Sequence, residues 1–132
     1  MSNEYSETAK SVLRLIRGRT IDNPLSASQI IHRIAGLKSD AEIREIVHNA
    51  RENGDWIGSN NEGYFLCRNF EEYKPTARHI HSRSMSMLSM LSQSIKNHQK
   101  NCVMTIFDDG VSGFEKEVET ALNEGMSVGK YL

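Results

Sequence analysis

Residues 26–54 read SASQIIHRIAGLKSDAEIREIVHNARENG, and this stretch decides the fold. Ser26 followed three residues later by Gln29 is a capping box. The serine hydroxyl accepts from the Gln29 amide while the Gln29 side chain returns to the serine amide, so a helix opens here. Ala27, Ile30, Ile31 and Ile34 then form one apolar face at helical spacing. Gly36 supplies a left-handed stop, with Leu37 as an apolar plug behind it. Ser39-Asp40-Ala41-Glu42 predicts a second capping box, which also places two acids at the positive end of a helix. Ile43, Ile46, Val47 and Ala50 mark the core side of that helix, and Asn53-Gly54 ends it. Two short capped helices joined by a glycine-containing connection predict a helix-turn-helix.

Toward the N-terminus, Ala9, Val12, Leu13 and Ile16 predict a first helix over 6–18, closed by Gly18. A loop over 20–24 follows, with Leu25 as a single-strand fragment. Toward the C-terminus, Asp55-Trp56-Ile57-Gly58 and Gly63-Tyr64-Phe65-Leu66-Cys67 are β-prone runs around a polar turn, Ser59-Asn60-Asn61-Glu62. They read as a hairpin, with Trp56 and Tyr64 expected to anchor it against the third helix. A helix-turn-helix followed by a hairpin is a winged helix. The fold class expected is therefore mainly α with a small β-hairpin: a winged helix-turn-helix over 1–68, a long helix within 69–100 and an acidic extension over 101–132.

Ser39-Asp40-Ala41-Glu42-Ile43, Arg51-Glu52-Asn53-Gly54 and Glu62-Gly63-Tyr64-Phe65-Leu66, with Leu25-Ser26-Ala27, resemble the N-terminal winged-helix domain of the biotin repressor family. The resemblance covers about residues 8–67, and no part of the 132 residues is expected to match the ligase domain of that family. Small phage and bacterial proteins that join such a module to a helical extension are similar over more of the chain. The resemblance implies that the third helix enters the DNA major groove while the hairpin touches the backbone.

Projected at about 100° per residue, the side of the third helix away from the core carries Ala41, Arg44, Glu45, His48 and Glu52, with Asp40, Asn49 and Arg51 on the flanks. Arg44 suits guanine, and His48 and Asn49 suit base edges. The Ser39 hydroxyl suits a phosphate, and Asn60 and Asn61 sit at the hairpin turn. Positions 39–53 nevertheless hold four acids and two bases, so this surface is poor in the cations that neutralise phosphates. Arg14, Arg17, Arg19, Arg33, Lys38, Arg78 and Arg83 are the supplementary cations. The function expected is sequence-specific binding of double-stranded DNA by a small transcriptional regulator or a replication-associated phage or bacterial factor. The alternative is a winged-helix adaptor for protein contact, in replication or against a host, that binds no DNA.

Beyond the hairpin, Pro75 suits a first helical turn, and no Gly or Pro interrupts 76–98. Ala77, Ile80, Ser84, Met87, Leu88, Leu91 and Ile95 recur at three and four residues along about 35 Å of helix, more than a small domain needs to cover itself. Met87, Leu88, Leu91 and Ile95 are thus expected to pair two copies, unless the tail covers them. That tail reads as the β-prone run Cys102–Phe107, a turn at Asp108-Asp109-Gly110, a short acidic helix over 114–122 capped by Gly125, and a frayed end over 125–132. The acidic helix is a candidate docking segment for a protein partner.

Length and composition bound the remaining readings. The chain has 132 residues, 38% of them hydrophobic and 7% aromatic, with a formal charge of −1. Residues 69–100 carry five bases against two acids, and residues 101–132 two bases against six acids. No apolar run approaches a membrane span. The opening residues lack the order of a signal peptide, and Cys67 and Cys102 lack metal-ligand spacing, which together imply free thiols in the cytoplasm of a bacterial or phage-infected cell. His79 and His81 diverge on a helix, and no phosphate loop or nucleophile motif is present. No enzyme activity, metal or cofactor is expected.

Overall fold

The computed structural model describes residues 5–101 and 109–132. The chain divides into two compact units, Met1–Thr76 and Ala77–Leu132. The first holds α1 (Glu7–Arg17), α2 (Ala27–Arg33), α3 (Asp40–Glu52), β1 (Ile57–Asn60) and β2 (Gly63–Leu66). It also holds the first seven residues of α4 (Phe70–Asn101), so it extends past residue 68. The rest of α4, with α5 (Asp109–Gly129), makes the second unit. The architecture is mainly helical with one small antiparallel hairpin and one long helix, as expected.

α1 packs on α3 and on β2, and α2 packs on α3. Their shared core contains Val12, Leu13, Ile16, Leu25, Ile30, Ile43, Val47 and Ile57, all essentially without solvent contact. Each fully buried Leu or Ile contributes about 1.5–3 kcal/mol, so this cluster holds the three helices and the hairpin together. The Ser26 capping box forms as read: its hydroxyl accepts from the Gln29 amide at 3.2 Å and Gln29 Oε1 accepts from the Ser26 amide at 3.0 Å. The second expected box does not form. Ser39 makes no cap bond through its side chain, and the Glu42 carboxylate reaches one residue further back and takes the Lys38 amide at 3.3 Å. α2 also ends at Arg33, three residues before Gly36, because Ile34 turns to an extended conformation. Gly36, at φ 94°, serves the turn that follows.

The hairpin turn is shorter than read. Ser59 and Asn60 belong to β1, leaving Asn61-Glu62 as a two-residue loop. Asn60 Oδ1 sets it by accepting from the amides of Glu62 (2.9 Å) and Gly63 (3.1 Å). Ser59 faces Tyr64, and both point their backbone groups away from each other. Those of Tyr64 exchange two hydrogen bonds with Leu25, at 2.8 and 2.9 Å, which is the single-strand fragment anticipated there. Those of Ser59 meet the Thr76 hydroxyl, which accepts from its amide at 3.1 Å and donates to its carbonyl at 3.5 Å. This occupies the hydroxyl of Thr76, itself only 3% exposed. Gly63, at φ 146°, lets the Leu25 backbone come this close, since a Cβ there would collide with the Leu25 carbonyl.

Trp56 does not anchor the hairpin to α3. It is 42% exposed and lies against α4 instead, stacked on Tyr73 and tilted against Phe70. α4 begins at Phe70 rather than Thr76 because Asn69 caps it, its Oδ1 accepting the Glu72 amide at 3.0 Å while Glu72 takes the Arg68 amide at 2.8 Å. Pro75 consequently sits inside the helix.

In the second unit α4 and α5 run antiparallel. His81 Nε2 lies 2.6 Å from the Gly125 carbonyl, Arg78 Nε donates to the Leu132 carbonyl at 2.6 Å, and Lys96 pairs with Glu119 at 3.3 Å. α5 is one continuous helix to Gly129, so the turn expected at Asp109-Gly110, the cap at Gly125 and the frayed end over 125–132 are all corrected. Gly125 and Gly129 instead give α4 room: a Cβ at Gly125 would strike Met85, and one at Gly129 would crowd the His81 ring. The β-prone run Cys102–Phe107 and Asp108 lie outside the described residues.

Candidate nucleic-acid interface

α3 offers three sides. Ile43, Val47 and Ala50 face the core. Ala41, Arg44 and His48 stand exposed on the opposite side, as the helical projection required. Glu45, projected to that same outer side, instead lines, with Asn49, a cleft of about 380 Å³ shared with Tyr5, Ser6 and Gly36. The nine candidate residues therefore do not converge on one spot.

Arg44 is on the hairpin side. Its charge, with that of Arg51, acts on the Tyr64 hydroxyl, whose pKa is nonetheless raised because burial outweighs the two cations. Among the described residues Arg44 makes no ion pair or hydrogen bond, so its five donors are uncommitted. His48 is committed: its Nε2 lies 2.7 Å from Glu52 Oε1, one helical turn on, with both side chains well exposed. Arg51 is a strut. Its Nε donates to the Ile57 carbonyl at 2.9 Å and its Nη2 to the Ser59 hydroxyl at 3.3 Å, tying the end of α3 to β1. Burial pulls its pKa below the ordinary arginine value, partly offset by Tyr73, Tyr64 and Cys67.

Ser39 is exposed at the start of α3 with its hydroxyl unused by the cap. Asn60 spends its carbonyl oxygen on the turn, and Asn61 is exposed at the tip. Of the other cations, Arg17 is held by Asp55 at 2.5 Å, Arg68 by Glu72, Lys10 by Glu7 and Lys74 by Glu71. The side chains of Arg14, Arg19, Arg33 and Lys38 form no ion pair with a carboxylate among the described residues. Arg33 and Lys38 flank the α2–α3 connection, beside Ser39.

Sequence reasoning missed the strut and the link from Ser59 to Thr76. Arg51 projects to the flank of α3, and only the hairpin register shows that its fork meets β1. Among the described residues no three His, Cys, Asp or Glu side chains gather to hold a metal ion, and no helix is long and apolar enough to cross a membrane. Compared with family models, with curated proteins and with solved structures, the chain matches none.

Proposed function

We propose that the first unit is a winged helix-turn-helix module that binds double-stranded DNA sequence-specifically, in a small cytoplasmic regulator or replication-associated phage or bacterial protein that acts as a homodimer. One observation carries the reading: α3 presents an uncommitted Arg44 on its solvent side while Arg51 straps the hairpin to the same helix. A helix and wing joined in this way enter a groove as one preorganised piece, and the ordering cost of binding falls. Arg44 reads a guanine through O6 and N7. Arg33, Lys38 and the Ser39 hydroxyl meet phosphates at the helix start.

A second reading has its own support. Asp40, Glu45 and Glu52 are exposed on α3, Glu62 is exposed at the hairpin loop, and His48 is bound to Glu52. Such a surface repels phosphates and suits a protein partner that brings cations. Selection from pooled random duplexes, followed by salt titration, decides between the two. The DNA reading requires an enriched motif and an affinity that falls by about 0.9 log units per phosphate contact for each tenfold rise in salt. Failure to enrich any sequence leaves the adaptor reading.

A further inference from the structure

We infer that the α4–α5 pair docks face to face with the same pair of a second copy, so that each basic α4 lies along the partner's acidic α5 in a four-helix bundle. This deepens the two-copy part of the proposed function and does not depend on DNA.

The second unit is short of core. Among the described residues fourteen apolar side chains are buried, and Val118 is the one that lies beyond residue 76. Level with it on α4 the buried residue is Ser92. Two helices whose fully buried residues, among those described, are one valine and one serine bury too little to hold their own geometry in water.

Part of the apolar surface left over is organised, although Met90 and Met126 are exposed on other sides of the pair. On α4, Ile80, Ser84, Met87 and Leu91 follow the 4-3-4 spacing of a bundle seam. At 3.6 residues per turn this seam stands about 110° around the helix from His81 and Ser92, which face α5. On α5, Phe114, Ala121 and Val128 recur every seven residues, about 60° from Val118 and Gly125, which face α4. Because the two helices are right-handed and antiparallel, both rotations lead to the same flank of the pair. Met87 is 61% exposed there, Phe114 50% and Val128 54%. Of the four residues expected between copies, Met87 and Leu91 are on this flank, whereas Leu88 and Ile95 turn toward α5 with Ser92.

Charge selects the occupant. Residues 77–101 carry four bases and no acid, whereas residues 109–132 carry five acids and two bases. Arg83 borders the α4 seam, and Glu117 and Glu124 border the α5 seam. A two-fold axis parallel to the helices sets α4 over the partner's α5 and brings the Arg83 row to the partner's Glu124 row. Stacking α4 on α4 would instead oppose bases to bases. The surface is complementary to itself, as an isologous interface requires.

Sedimentation of the full chain at tens of micromolar tests this. The expected result is a dimer that Met87→Glu or Phe114→Glu turns into a monomer of unchanged helicity by circular dichroism. Both side chains are half exposed or more, so neither substitution empties a core. Arg83→Glu and Glu124→Arg should each weaken association about tenfold, and the two reversals together should restore it. A monomeric wild type overturns the inference, as does a dimer indifferent to Met87→Glu and Phe114→Glu, or a charge reversal that fails to rescue. A dimer that selects no DNA refutes the DNA reading alone, and a monomer that selects DNA refutes this inference alone.

Discussion

Trp56 lies flat on Tyr73, with ring centroids 5.5 Å apart and planes within 6°. The indole thereby ties the residue before β1 to the first turns of α4. Because it stays 42% exposed, truncation empties no cavity. Trp56→Ala should cost about 1–2 kcal/mol, below the 3–5 kcal/mol of a buried aromatic, and a double-mutant cycle with Tyr73→Ala should give a coupling of about 0.5–1.5 kcal/mol. Urea denaturation followed by circular dichroism measures both. A coupling of zero would mean that the stack contributes nothing beyond area.

Arg51→Met removes the donors to Ile57 and Ser59 while keeping much of the stem. The expected loss is about 1–3 kcal/mol, with Arg51→Lys recovering little because its donors sit on one nitrogen and cannot stand where both Nε and Nη2 stand. Hydrogen exchange of the β1 and β2 amides should accelerate ahead of the α1 amides. Uniform acceleration would show that the strut supports the whole unit and not the hairpin in particular.

Arg44→Ala should relax the preference at one base pair by about 1–3 kcal/mol and leave thermal stability within about 0.5 kcal/mol, since the side chain is exposed and bonds to nothing nearby. Affinity that drops equally on every sequence would reduce Arg44 to a phosphate contact.

Gly63→Ala should be among the most damaging single changes in the first unit. It combines a φ of 146° with a collision against the Leu25 carbonyl, and the Leu25–Tyr64 bridge must open to admit a methyl group. A loss of about 3 kcal/mol or more is expected. Gly54→Ala, at φ 98° but with open space around it, should cost about 1 kcal/mol. Thermal midpoints of the two variants rank them directly.

The Cys67 thiol is buried, and burial with the nearby Glu72 carboxylate pushes its pKa from 9.0 to about 11. It should resist iodoacetamide at neutral pH until the chain unfolds, as peptide mapping would show. Because the folded state holds the proton more tightly, the contribution to stability is complete below about pH 9 and erodes as pH rises toward 11. That alkaline erosion should shrink in Cys67→Ala.

The helices were legible where local chemistry is self-contained. Val12, Leu13 and Ile16 announce the buried side of α1, and the Ser26–Gln29 box announces the start of α2. Reading failed where two signals competed for one boundary. At the start of α4, the Asn69 and Glu72 cap prevailed over Pro75, because a capped helix tolerates one missing amide more readily than several orphaned ones. At Ser39, a carboxylate long enough for two amides took the further one. Trp56 misled because its neighbours in β1 are core residues, whereas its own contacts come from residues 14 and 17 positions later. Around α3, periodicity placed Arg44 and His48 outward correctly but is silent on partners, so the Glu52 pair and the Arg51 strut emerged only with the fold.

The Thr76 hydroxyl has a consequence for misassembly. A two-stranded hairpin normally leaves two ragged edges on which a foreign strand can template itself and seed aggregates. Here the outward amide and carbonyl of Tyr64 are consumed by Leu25, and those of Ser59 by one threonine. An intruding chain would have to evict a buried residue before its first hydrogen bond to β1 at this row. Thr76→Val keeps the shape and opens that lock, so the damage should surface as fibrils or precipitate on prolonged incubation before it surfaces as a lower melting point.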